Sequence, residues 1–150
     1  MSLEIQINND IKQAMLAKDR KKLDALRAIK AALLLEKTGK DVSSGEIPES
    51  VELKLLQKLV KQRKESALLY RDKDRLEMAE EEEFQAAIIE KYLPEQMSEG
   101  EIETVVATVI AETGASSMKD MGRVMGMVSK QLAGKADNKT ISSLVRKKLG

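Results

Sequence analysis

The chain has 150 residues and a net charge of +1, with 26 Lys and Arg against 25 Asp and Glu, and it contains no histidine, no cysteine and only 2% aromatic residues. That length allows one domain or two small ones. The composition removes the thiol nucleophile, most zinc sites and the commonest neutral-pH acid–base.

What remains is rich in Leu, Ala, Glu, Lys and Met, all strong helix formers, so the expected fold is all-α with an aliphatic core. No run of about 18 apolar residues is present to span a membrane. The opening MSLEIQINND lacks the pattern of a signal peptide, and a cysteine-free chain suits the cytosol, so a cytoplasmic location is expected. The near-zero net charge conceals strong segregation. Residues 76–112 hold one cation against eleven carboxylates, whereas 113–150 hold eight cations against two. Such blocks steer partners when they are displayed. When they pack together, they neutralise each other instead.

In chain order, Leu3, Ile7, Ile11 and Met15 form a four-residue-spaced stripe behind Ser2, a candidate N-cap. Asp19 is placed to cap a second helix, with Leu23, Leu26, Ile29 and Leu33 on one face and Gly39 at its end. KDVSSGEIPES reads as a loop, and Pro48 suits the first turn of a third helix carrying Leu53, Leu56, Val60 and Ala67 inward and KQRK at 61–64 outward. After a break near 71–74, a fourth helix is expected over 76–92 with Met78, Phe84, Ile88 and Leu93 as its apolar positions. Pro94 stops it, which sets the expected domains at 1–94 and 95–150.

Ser98 and Glu101 form a capping-box pattern for a fifth helix running to Thr113–Gly114. Its β-branched Ile102, Val105, Val106, Val109 and Ile110 make a strand the competing reading, but their 3–4 spacing and the cap favour a helix. Ser117 with Asp120 opens a sixth helix, expected to end at Gly134. Asp137 or Asn138 opens a seventh with Ile141, Leu144, Val145 and Leu149 inward.

No residue set points to a catalytic centre, a metal or a cofactor. The four glutamates at 80–83 point in different directions on a helix and read as a solvated face, and no phosphate-binding glycine loop follows a strand. Gly122 and Gly126, four apart, would let another helix approach closely, and packing inside the C-terminal bundle is the expected use. Met118, Met121, Met125 and Met127 cluster beside them, a pattern that more often fills cores than binds ligands. The C-terminal cations Lys130, Lys135, Lys139, Arg146, Lys147 and Lys148 are candidates for phosphate contact. The competing reading is a solvated helix end whose cations suit the helix dipole. With no aromatic side chain in that region to stack bases, structured RNA suits it better than single strands, and no DNA partner is expected.

The segments IKQAMLAKDRKKLDALRAIKAAL, KQRKESALLYRDKDRLEMAEEEEF, KYLPEQMSEGEIE and ETGASSMKDMGRVMGMV resemble the free-standing YqeY-like proteins of bacteria almost end to end. MGRVMGMVSKQLAGKADNKTISSLVRKKL is also similar to the C-terminal tail of GatB, the B subunit of the glutamine-dependent aspartyl/glutamyl-tRNA amidotransferase. The resemblance implies the multihelical GatB/YqeY fold, an N-terminal helical bundle followed by a C-terminal three-helix bundle. It implies a tRNA-binding or amidotransferase-associated module without the catalytic domain, although the family-level label is a carbon–nitrogen ligase with glutamine as amido-N donor. The alternatives are a protein-interaction module docking on amidotransferase or aminoacyl-tRNA synthetase subunits, and a small enzyme of unrecognised type.

Overall fold

Seven α-helices and one 3₁₀ turn, with no strand among the described residues, make up the computed structural model, which describes residues 2–39 and 47–150. The fold is all-α, as the helix-forming composition requires. Most of the loop expected at 40–50 lies outside the described residues. The chain divides into two compact units, 1–93 and 94–150.

The first unit holds α1 (Leu3–Leu16), α2 (Arg20–Gly39), α3 (Glu49–Asp72) and α4 (Leu76–Glu90). Local caps start the first two helices. The Ile5 N–H donates to Ser2 Oγ at 3.3 Å and the Lys22 N–H to Asp19 Oδ1 at 3.2 Å, each satisfying an otherwise orphaned backbone donor. Pro48 sits just before α3 in extended conformation (φ −59°, ψ 144°), one residue earlier than the expected first turn. Asp74 takes a left-handed φ of 57° in the tight turn between α3 and α4, a conformation that Asp tolerates better than most residues. Ile7, Leu26, Ile29, Leu56 and Ile89 form the fully buried centre. The Tyr92 hydroxyl donates to the Asp10 carboxylate, tying the residues after α4 to α1; burial first, and that acceptor second, push the phenol above its ordinary range.

Two expectations fail here. Met15 is exposed and Ala14 is buried in its place. On α4, Met78 and Phe84 point outward, 40% and 39% exposed, while Ala79, Ala86, Ile88 and Ile89 are buried. The helix packs against both α2 and α3, and its apolar residues lie on every side, so periodicity cannot select the buried face. The core of this unit reaches Val60 on α3 and Ala86 on α4. From there to the connecting turn, only Ala67 and Ala79 are buried.

The second unit is a three-helix bundle of α5 (Glu99–Thr113), α6 (Met121–Gln131) and α7 (Asn138–Leu149), with the 3₁₀ turn Met118–Asp120 before α6. The β-branched run of α5 is helical. The Glu101 N–H donates to Ser98 Oγ and the Ser98 N–H to Glu101 Oε1, both at 3.2 Å, and Gly114 closes the helix at a left-handed φ of 69°. Ile102, Val106, Val109, Val124, Val128, Ile141, Leu144 and Val145 form a core separate from that of the first unit.

Candidate nucleic-acid interface

The sixth helix starts later and ends earlier than the sequence suggests. Ser117 Oγ accepts from the Lys119 N–H, and Asp120 accepts the Ser116 N–H at 3.1 Å. These bonds form the 3₁₀ turn, and α6 proper begins at Met121. After Gln131 the chain makes a tight turn, with Gly134 at φ 77°. Its carbonyls hold it to the segment before α5. Gln96 Nε2 donates to the Gly134 carbonyl at 2.7 Å, and the Met97 N–H to the Lys135 carbonyl at 2.9 Å. Ser129 Oγ then donates to Asn138 Oδ1 at 3.2 Å, joining the last turn of α6 to the first turn of α7.

This scaffold brings Lys130, Lys135 and Lys139 to one end of the α6–α7 hairpin, all three exposed. Arg146 lies seven residues beyond Lys139 and shares its side of α7, roughly 10 Å further along at 1.5 Å per residue, with exposed Ser143 between them and exposed Lys147 beside it. Among the described residues, none of Lys130, Lys135, Lys139, Arg146 and Lys147 makes an ion pair. Lys148 differs, because its ammonium pairs with Glu103 of α5 at 3.2 Å. Arg123, outside the expected set, is engaged by Asp120 and the Thr113 carbonyl. From Met121 to Gly150 there are seven cations and a single carboxylate, Asp137. Asp137 caps α7 by accepting the Lys139 N–H at 3.3 Å, so an incoming anion meets lysine side chains there rather than a bare helix terminus.

Gly122 and Gly126 require a correction. Both are exposed, and a Cβ built on either would meet no heavy atom within 4 Å. They do not pack against another helix within the bundle. Val124 and Val128 point into the core, which turns the glycines outward. With Arg123, Met127 and Lys130 they form an exposed face of low relief on α6.

One signal was not legible in the local sequence. The unit also contains residues 94–112, where Glu95 and four glutamates of α5 supply five carboxylates, so the whole unit carries eight cations against seven carboxylates. The basic block is thus one side of a dipolar body. Among the described residues, no group of three or more carboxylates converges to hold a metal ion, and no helix is long and apolar enough to cross a membrane.

Comparison with known proteins matches the family described as Yqey-like protein over residues 4–149. The chain is also similar to altered inheritance of mitochondria protein 41, mitochondrial, of Pyrenophora tritici-repentis, at 28% identity over 149 residues, covering 97% of this chain and 80% of that protein.

Proposed function

The chain belongs to the YqeY-like family, and from that premise we propose that its C-terminal unit holds folded tRNA through the phosphate backbone. The observation that carries this reading is the run from Met121 to Gly150, with seven cations against one carboxylate. Five of those cations are exposed and free of ion pairs among the described residues. The resemblance of the same residues to the GatB tail supports tRNA as the RNA.

Lys130, Lys135, Lys139, Arg146 and Lys147 would make positioning contacts and read little sequence. Lys148 is drawn toward Glu103 and contributes less. The five carboxylates of 94–112 keep affinity modest and confine productive approach to the α6–α7 side. No group at this surface suits bond-making chemistry, so the proposed role is binding and presentation.

The test is a titration of the whole chain with folded tRNA at several salt concentrations. If about four phosphates are engaged, log K falls against log salt with a slope of about −3 to −4. No binding at low salt, or binding indifferent to salt, overturns the proposal and leaves protein docking as the leading role.

A further inference from the structure

The outer half of the α3–α4 hairpin is poorly covered. Between Val60 and Ala86 only Ala67 and Ala79 are buried, yet Leu68 and Leu76 stand 65% and 52% exposed, and Leu69, Met78 and Phe84 are exposed as well. Single exposed leucines need no explanation, but several large apolar side chains on one projecting pair of helices do.

One side of this hairpin is organised. Lys64, Leu68 and Arg71, spaced i, i+4, i+7, run along α3, and Leu76, Glu80, Glu83, Ala87 and Glu90 run along α4. The helices are in register: Lys64 pairs with Glu90, and Arg71 with Glu83. Between those two ion pairs lies a shallow groove of about 380 Å³, floored by Ala67, Ala86 and Ala87 with Leu68 standing on its rim. The face therefore carries a knob beside a hole and a row of cations beside a row of carboxylates.

We infer that this face is a self-docking surface, on which a second copy of the chain seats its own α3–α4 hairpin about a two-fold axis running along the hairpin. That axis keeps heights along the helices and exchanges left for right. It sets α3 of one copy on α4 of the other. Leu68 then falls over Ala86 and Ala87 of the partner, Lys64 over its Glu90, and Arg71 over its Glu83. A two-fold axis across the hairpin would instead set α3 on α3, cation over cation, and the charge pattern rejects it. About fifteen residues of each helix, at 1.5 Å rise and roughly 10 Å width, give a face of about 450 Å² per copy, below the ~800 Å² of a standard interface. The dimer is accordingly weak and concentration-dependent.

Sedimentation velocity of the full chain from micromolar to millimolar concentration should show a monomer–dimer equilibrium. Leu68→Glu should abolish the dimer while helicity is retained, because that side chain is mostly exposed. Arg71→Glu should weaken it about tenfold, and adding Glu83→Arg should restore it. The chain has no cysteine of its own, so a mixture of Leu68→Cys and Ala87→Cys variants reports geometry directly. Under oxidation the mixture should cross-link faster than either variant alone, a readout that holds whether or not Leu68→Glu folds. A chain that stays monomeric throughout, a dimer indifferent to Leu68→Glu, or cross-linking fastest between two Leu68→Cys copies overturns the inference.

Discussion

The two helical hairpins of this chain handle charge in opposite ways. In α3–α4 a basic helix lies against an acidic one, and Lys64–Glu90 and Arg71–Glu83 close across the seam. Of the glutamate run at 80–83, Glu83 is answered by Arg71 of the neighbouring helix. In α6–α7 neither helix contains a carboxylate. The nearest counter-charges sit on α5 and in the turns, and among the described residues they engage only Arg123 and Lys148. Exposed ion pairs contribute little stability, so the first hairpin gains mainly selectivity over what it meets. The second hairpin leaves cations available, at the cost of repulsion that its core must offset.

That contrast is broken most severely through the cores. Because the two clusters share no residue, Ile141→Ala should destabilise the second unit by about 2–5 kcal/mol. Amide exchange should then accelerate across 94–150 while the α3–α4 amides keep their protection. Uniform acceleration over the whole chain would show that the units unfold as one. The next largest effect concerns binding. Reversing Lys135 and Lys139 to Glu should weaken tRNA binding by about ten- to a hundredfold and flatten the salt slope, since two phosphate contacts are lost. Reversing Arg71, already answered by Glu83, should leave tRNA affinity unchanged. Equal losses from both changes would mean that net charge alone governs binding.

The sequence made the starts of helices legible and their neighbours illegible. Ser2, Asp19, Ser98 and Asp137 cap the helices expected of them, because a cap is decided within three residues. The inward set Ile141, Leu144, Val145 and Leu149 was also readable, since α7 is clearly two-faced. The exposure of Met78 and Phe84 was not, because the apolar residues of α4 are scattered around the helix among its glutamates and only α2 and α3 decide what it buries. The engagement of Lys148 by Glu103 spans 45 residues, and no local pattern carries it. Gly122 and Gly126 misled because small residues at helical spacing mark close packing only when a partner is present.

That openness sharpens the picture of α6. Gly126→Ala should stabilise the second unit by up to about 1 kcal/mol, since the helix gains propensity and no neighbour stands in the way. Gly126→Leu should be tolerated as well. Gly114→Ala, at a left-handed φ, should instead destabilise. Thermal melts of the three variants rank them. A destabilised Gly126→Ala would mean that something covers this face in solution.

The smallest expected effect separates the units by how their helices begin. Neither α3 nor α4 has a side-chain cap, whereas α5 opens on the reciprocal Ser98–Glu101 box. The Ser98 N–H, and after it the Ser98 hydroxyl, hold the Glu101 carboxyl below its ordinary value of 4.5. A carboxylate depressed in the folded state adds stability that is complete above its unfolded value and fades as pH falls through the folded one. The first turn of α5 should therefore loosen only as pH falls below 4.5, through the depressed Glu101 value. Glu101→Gln keeps an acceptor on the Ser98 N–H without titrating, so its first-turn amides should not share that pH dependence. Carboxyl titration by NMR together with exchange at 99–102 provides the check, and an ordinary Glu101 pKa, or identical acid behaviour in Glu101→Gln, would remove the box as the cause.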